Sequence, residues 1–319
     1  MKKTSILVTG CAGFIGSNFT TVFAKKFPSV EIVGLDDMSS GRSENISNNI
    51  RFYKGSICDN SLLDSIFKKH KPSYVFHFAA MPRVSYSMEK PAETSRTNIE
   101  GTALLLEKCR EYKIKRLIFS SSSAIYGLAK NLPTNEADNK PNPVSPYAVQ
   151  KLAGEHLCDI ASKFYGFDTV SLRYFNVFGP RQHGDSAYST VISAWLTGLY
   201  FPSKKKAFIE GTGKQSRDFV FVENVVEANI LAMQSKKDFK GAIINIGDGK
   251  IVNLLQVKKL IEKLTHKVLL LEKRPTRAGD VLHTHADITR AKKLLKYKPI
   301  VPFEDGVKKT VAWFESIKT

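Results

Sequence analysis

The stretch that decides the fold is Met1–Phe19, MKKTSILVTGCAGFIGSNF. Two readings compete for it. Two lysines, a short apolar run and Cys11 have the outline of an export signal ending in a lipid-attachment cysteine. The same letters describe a buried strand, Ile6–Val8, that runs into a glycine turn and then a helix. An export signal needs an apolar region of roughly 7–15 residues and a small-residue cleavage site, and the stretch between Lys3 and Cys11 is too short for both. Gly10, Gly13 and Gly16 instead stand where glycines let the chain turn tightly and let a pyrophosphate reach backbone N–H groups at a helix start. Their spacing, G-x-x-G-x-x-G, is one residue longer than the standard dinucleotide fingerprint.

The residues up to Asp36 decide between the two. The helix is expected to end near Phe27-Pro28, and a second strand, Val30–Leu35, closes on Asp36, twenty residues past Gly16. A carboxylate there accepts both ribose hydroxyls of NAD and repels the 2′-phosphate of NADP. Arg42 is the one nearby residue that would suit NADP. Strand, glycine turn, helix, strand and acid together predict an NAD site, make Cys11 a turn residue and place the protein in the cytoplasm.

Further along, short apolar runs recur at Arg51–Tyr53, Tyr74–Ala80, Arg116–Ser120, Thr169–Tyr174 and Ala242–Ile246, with helical segments between them. Continuous apolar strands alternating with helices predict a doubly wound parallel α/β sheet of the Rossmann type. After Phe175 the pattern loosens around Gly179-Pro180 and Gly211–Gly213. Residues 1–175 are therefore expected to bind the dinucleotide and 176–319 to form a smaller substrate lobe, with 218–247 returning to the main sheet. No apolar run reaches the roughly 20 residues of a membrane span, so no membrane insertion is expected. Cys11, Cys58, Cys109 and Cys158 are scattered without metal-binding spacing; isolated thiols and no metal are expected. The formal net charge of +18 raises the question of a polyanionic partner. The lysines, among them Lys204–Lys206, Lys292, Lys293, Lys296 and Lys298, have little aromatic interleaving, so solvated helix faces are the reading and no nucleic acid is expected.

Chemistry is concentrated in two motifs. SSSSAIYG, Ser120–Gly127, sits at the carboxyl end of the fifth predicted strand, the edge where ligands bind in such sheets. In SPYAVQK, Ser145 is placed to cap a helix and Pro146 to open it, so Tyr147 and Lys151 fall four apart on one face. The helix is expected to run to Tyr165, with Ala148, Leu152, Leu157, Ile160 and Phe164 as its apolar face. An unperturbed phenol near pKa 10 is a poor base at neutral pH. An ammonium one turn away and a cationic nicotinamide both favour phenolate, so Tyr147 is expected to take a proton from a substrate hydroxyl, with Ser122 as the bridge.

TGCAGFIG, HFAA, SSSSAIYG, SPYAVQK, LRYFNVFGPRQ, GKQSRDFVFVENVVEA and RAGD together resemble the extended short-chain dehydrogenase/reductases over essentially the whole chain. The likeness is greatest to the UDP-hexose 4-epimerases, above all those acting on UDP-N-acetylglucosamine in bacterial surface-polysaccharide pathways. It implies Tyr147 as base, Lys151 as its electrostatic partner and nicotinamide-ribose ligand, and Ser122 as proton bridge. It implies NAD contacts from Gly10, Gly13, Phe14, Ile15, Gly16, Asp36, Ile57, Ala79, Ala80, Asn98 and Tyr174. UDP-sugar contacts are implied for Arg83, Ser123, Tyr147, Asn176, Arg217, Arg277, Asp280 and Thr284. Ser56 departs from the aspartate often found near the adenine. In the family the helices matching Ala103–Tyr112 and Pro146–Tyr165 pair across a dimer, so a homodimer through a four-helix bundle is implied.

The family's 4,6-dehydratases carry an Asp-Glu pair where Ser123 and Ala124 stand here, and a decarboxylase would show a glutamate there. Epimerisation at C4 through a transient 4-keto sugar is therefore the expected reaction. Thr284 aligns with the residue that lines the pocket at the sugar C2 substituent; a tyrosine there resembles enzymes restricted to UDP-glucose, and a small residue leaves room for N-acetyl. UDP-glucose alone, or UDP-glucuronate, are the other substrates considered. Thr and Arg tend to replace Asn176 and His183 in uronate enzymes, while Arg83 near the sugar leaves that option open; His183 is read as a loop histidine. A non-catalytic relative binding nucleic acid through its basic surface is the reading from another class, and the retained Tyr147 and Lys151 speak against it.

Overall fold

The computed structural model describes residues 4–82, 84–129, 131–184, 190–275 and 282–318. Seven strands form one parallel sheet: β1 (Ser5–Thr9), β2 (Glu31–Asp36), β3 (Arg51–Lys54), β4 (Tyr74–His77), β5 (Arg116–Ser122), β6 (Asp168–Tyr174) and, after four short strands, β11 (Ala242–Ile246). The short ones are β7 (Val177–Phe178), β8 (Phe208–Glu210), β9 (Ser216–Arg217) and β10 (Val220–Phe221); β12 (Val252–Asn253) and β13 (Glu272–Arg274) come later. The order across the sheet is β11-β6-β5-β4-β1-β2-β3. All seven strands read from the sequence lie in this sheet, and Ala242–Ile246 returns to its edge beside β6. The fourth strand is shorter than its apolar run. It stops at His77; the Phe78 N–H still donates to the Thr9 carbonyl of β1 at 3.1 Å, and Ala79 and Ala80 lie beyond the strand.

Burial explains the absence of polar–apolar alternation in these strands. Every residue of β1 and β6 is buried, because helices cover both faces. Ile6 and Val8 point into one core with Phe19 and Phe23 of α1 (Phe14–Lys26) and Val225 and Val226 of the helix Val222–Gln234. Leu7 points into the opposite core, with Leu63 and Phe67 of α2 (Asn60–His70) and Leu105 of the helix Gly101–Glu111. A third core, built on Trp195, Val257, Ile261 and Phe314, joins the helices Val191–Tyr200, Leu254–Thr265 and Phe303–Ser316 beyond the sheet.

From β1 the chain builds outward to β3, then crosses back to β4 on the other side of β1. Strand order reverses there, and a crevice opens at the carboxyl ends of β1 and β4. Gly10 leaves β1 with φ +72°, and a Cβ on it would stand 2.6 Å from the peptide nitrogen of Ala79 after β4. Gly16 lets the first turn of α1 sit against this bend, since a Cβ there would meet the Gly10 carbonyl oxygen at 2.1 Å. The helix therefore starts in the crevice with its N–H groups directed at it.

Candidate active site

One cavity of about 720 Å³ runs across this crevice and onward to the 176–183 segment and Arg217. Of the expected cofactor residues, Gly10, Gly13, Phe14, Ile15, Gly16, Asp36, Ile57, Ala79, Ala80 and Tyr174 line it. So do Ser122, Ser123, Tyr147, Asn176, Arg217 and Thr284. Arg83, Arg277 and Asp280 lie outside the described residues.

At one end, Asp36 accepts from the N–H of Ala12 at 2.9 Å and of Met38 at 2.9 Å. Burial pushes its carboxyl above the usual range, and these N–H groups pull it back. Each carboxylate oxygen keeps a lone pair for a ribose hydroxyl. Arg42, whose N–H donates to the Ala12 carbonyl at 3.1 Å, lines the cavity here. The glycine turn, the helix start and Asp36 thus offer N–H groups and an acceptor in the order that a dinucleotide presents phosphates and ribose, so the residues present fit NAD.

Two of the expected cofactor residues are not on the wall. Asn98 is buried behind it and closes the turn after β4: its Oδ1 accepts from the Met81 N–H at 2.8 Å, and its Nδ2 donates to the Gln150 Oε1 at 2.7 Å. Lys151 is also buried, and its ammonium donates to the Ser120 carbonyl at 2.7 Å. It lies 5.9 Å from the Tyr147 ring centre.

Tyr147 is in the first turn of α6, the sixth helix of the chain (Pro146–Phe164), after α3 (Val84–Glu89), α4 (Pro91–Ser95) and α5 (Gly101–Glu111). The Ser145 hydroxyl accepts from the Ala148 N–H at 3.2 Å, the expected cap. The N–H of Tyr147 is satisfied from outside the helix, by the buried Ser87 hydroxyl of α3 at 3.0 Å. Ser122 lies close enough to the phenol to favour the phenolate. In this state burial dominates. The phenol is pushed up to about 12, and the lysine ammonium is brought down to about 8 by the same loss of solvent. The expected lowering of the phenol by its lysine is therefore not the property of the chain alone; a further positive charge has to enter the cavity.

The expected apolar face of α6 is buried only in part: Ala148 is fully buried and Leu157 packs against the core, whereas its last two members are not covered. Its buried side carries Gln150, Lys151, Glu155 and Cys158, whereas Ile160 is 44% and Phe164 76% exposed. The buried polar groups are paired: Glu155 with Arg173 through two bonds of 2.8 and 2.6 Å, and Gln150 with Asn98 and Thr94. Apolar periodicity cannot signal such a face, because its partners come from other elements.

On the second lobe, Arg217 donates to the Ser216 and Leu282 carbonyls at 3.0 and 3.1 Å and lines the cavity. Thr284 is more than a small residue leaving space, since its hydroxyl accepts from Asn176 at 2.9 Å. The buried Asp218 gathers these segments, accepting from the N–H groups of Asp248, Gly249 and Ala286 at 2.8, 3.1 and 3.0 Å. Arg181 and His183 also line the cavity and carried no expected role there. Arg181 donates to the Ser17 carbonyl and the Thr21 hydroxyl of α1 at 2.7 and 2.9 Å. The PRQ end of LRYFNVFGPRQ held the signal for it.

Comparison with known proteins agrees with this geometry. The family model described as NAD dependent epimerase/dehydratase family matches residues 6–247. A UDP-glucose 4-epimerase of Thermotoga maritima, solved with UDP-glucose, is 38% identical with a TM-score of 0.92, over 98% of this chain and 99% of its own. A UDP-N-acetylglucosamine 4-epimerase of Methanobrevibacter ruminantium, solved with UDP-N-acetylmuramic acid, is 34% identical with a TM-score of 0.90, over 99% of each chain. A UDP-glucuronate 4-epimerase of Thermodesulfobacterium geofontis is 33% identical over 96% of this chain and 95% of its own.

Proposed function

The chain belongs to the NAD dependent epimerase/dehydratase family, and from this premise we propose that it interconverts UDP-N-acetylglucosamine and UDP-N-acetylgalactosamine, with UDP-glucose and UDP-galactose as further substrates. That it is an NAD-dependent UDP-sugar 4-epimerase follows from relatives of that activity matched over at least 95% of both chains. The observation that carries the reading is the shared cavity. A dinucleotide-shaped end and a polar sugar end meet at Tyr147 and Ser122. The cofactor supplies, when bound, an acceptor that takes one hydride from the sugar C4 and returns it to the opposite face.

The chain's own residues do the rest. Tyr147 takes the proton of the C4 hydroxyl through Ser122 and gives it back when the sugar has turned over. Lys151 holds positive charge one helical turn away. Asp36 and the α1 N-terminus hold the cofactor, while Arg217, with Arg277 and Asp280, holds the UDP through the turnover. Ala124 and Ser123 offer no acid for elimination. On this reading residues 1–175 with 218–247 hold the cofactor and 176–319 the UDP-sugar, in a cytoplasmic homodimer joined through α5 and α6.

Purified protein offered UDP-glucose, UDP-N-acetylglucosamine and UDP-glucuronate separately, with the 4-epimers resolved, tests the reading. Tyr147→Phe is expected to lower kcat on the order of 10³-fold, as removal of a positioned acid–base group does; wild-type rates in that variant would remove Tyr147 from its role. Thr284→Tyr fills the space beside the C2 substituent. It is expected to cost the acetamido sugar at least roughly tenfold more in kcat/KM than UDP-glucose, and an equal loss of both activities would defeat the steric argument.

A further inference from the structure

We propose that Glu155 is a positioning residue for the reaction: a buried carboxylate, one helical turn behind Lys151, that holds the positive charge of that lysine in place beside Tyr147. The inference rests on the epimerase reading above and adds to it a residue that acts through Lys151.

Lys151 and Glu155 are four apart on α6, so their side chains share one face of the helix. Both are buried, at 5% and 1% exposed. The ammonium donates to the Ser120 carbonyl at 2.7 Å and lies 5.0 Å from the Phe119 ring centre. Neither neighbour carries a charge, and among the described residues no carboxylate is in ion-pair contact with it.

The sheet beneath α6 fixes Glu155 from two strands. Ser121 of β5 and Arg173 of β6 are partners in the parallel register, so their side chains stand side by side on one face. The Ser121 hydroxyl and the Arg173 Nε donate to one carboxylate oxygen, and a terminal nitrogen of Arg173 donates to the other at 2.6 Å. Ser120, the residue before Ser121, supplies the carbonyl that holds Lys151. One short stretch of β5 thus fixes both the cation and the anion.

An ion pair that served only to seat α6 on the sheet would do little that apolar packing could not, because exchanging a buried pair for apolar residues of its size often leaves stability unchanged. What distinguishes this pair is the lysine it faces. Burial brings the Lys151 ammonium down, and Cys158 and Glu155 act against that. The other titratable groups around the lysine are Tyr147 and Cys158 on its own helix and His77 on β4, with Arg173 of β6 bonded to Glu155. Burial keeps three of them neutral. It pushes the phenol up to about 12 and the thiol far above its usual range, and it brings His77 down to about 3. A neutral thiol offers the ammonium no charge, so Glu155 is the anion that acts on it. Without that charge Lys151 falls further below its ordinary 10.5 and loses its proton at lower pH.

The test follows Lys151 in two ways. One is kcat against pH with the best epimerised sugar. The other is the pH titration of the lysine ε-carbons by NMR in protein carrying isotopically labelled lysine, where Lys151→Arg identifies the signal. In Glu155→Gln, which keeps the shape and an acceptor, the alkaline limb and the lysine titration are both expected to move down by at least roughly one pH unit. In Glu155→Gln combined with Arg173→Gln, which strands no charge, both are expected to lie between the single variant and wild type. Glu155→Asp keeps the charge and is expected to stay within roughly half a unit of wild type. A role confined to folding would lower stability and leave both readouts where they are. An unmoved limb or an unmoved titration in the folded single or double variant would therefore overturn the proposal. Loss of the fold in the double variant would also overturn it, by assigning the pair to the fold. Absence of wild-type turnover with UDP-glucose, UDP-N-acetylglucosamine and UDP-glucuronate would refute the epimerase reading, while the lysine titration would still judge Glu155.

Discussion

Tyr147 and Lys151 form a pair whose two members are shifted by the same cause in opposite directions. Burial raises the phenol and lowers the ammonium because both charged forms lose water. The sign of the pH dependence comes from the lysine. Its folded value, about 8, is below the ordinary 10.5, so its charge costs stability below about 8, and that cost fades as pH rises towards 10.5. The difference corresponds to about 3 kcal/mol. The same titration acts on catalysis: as pH passes upward through about 8 the ammonium is lost, and with it the positive charge beside the phenol. Activity is expected to fall on that alkaline limb. In Lys151→Arg, which stays charged, the limb is expected to move up by at least roughly one pH unit even if the rate at neutral pH drops. A pH–rate profile of both proteins checks this, and coincident limbs would assign the alkaline limb to another group. The phenol and lysine were legible in the sequence as a pair one turn apart; the dominance of burial was not, because solvent exclusion is made by the whole cavity.

At the scale of the element, α6 is held in register by two neighbours. Ser145 caps it from within the local sequence, and Ser87 of α3 satisfies the N–H of Tyr147 from 60 residues away. Asn98 and Gln150 tie the same helix to the turn after β4. Ser87→Ala would leave a buried N–H without its acceptor, a loss of about 1–3 kcal/mol. Denaturant unfolding is expected to show that loss, together with a kcat decrease larger than the change in KM, because the displaced group is Tyr147 itself. A change confined to KM would mean that Ser87 serves the substrate pocket and not the tyrosine. The cap was readable from Ser-Pro at the helix start. The clamp was not, since nothing local to either serine distinguishes it from a solvated one.

Over the whole molecule, the exposed apolar residues of α6 acquire a meaning. Val149, Ile160 and Phe164 stand 49%, 44% and 76% exposed on a helix whose buried face mixes small apolar residues with Gln150, Lys151 and Glu155. They suit the proposed dimer, in which α5 and α6 would cover one another's apolar residues. Phe164→Glu combined with Ile160→Glu is expected to shift sedimentation from dimer to monomer and leave the cavity residues untouched. A wild-type monomer would end the dimer proposal, and a double variant still dimeric would move the interface elsewhere. No helix among the described residues is long and apolar enough to cross a membrane.

By itself, the sequence determined the strand–glycine–helix–strand–acid unit, the seven sheet strands and the Tyr-x-x-x-Lys spacing. Each of these is set by neighbours in the chain, through the allowed backbone of glycine, through burial on both faces and through helical periodicity. Only the tertiary structure decided which polar groups behind the site are paired, which face of α6 is buried and how Asn176 is turned. Those depend on partners such as Thr284, 108 residues away, and a hydrogen bond between distant segments leaves no periodic trace in either of them.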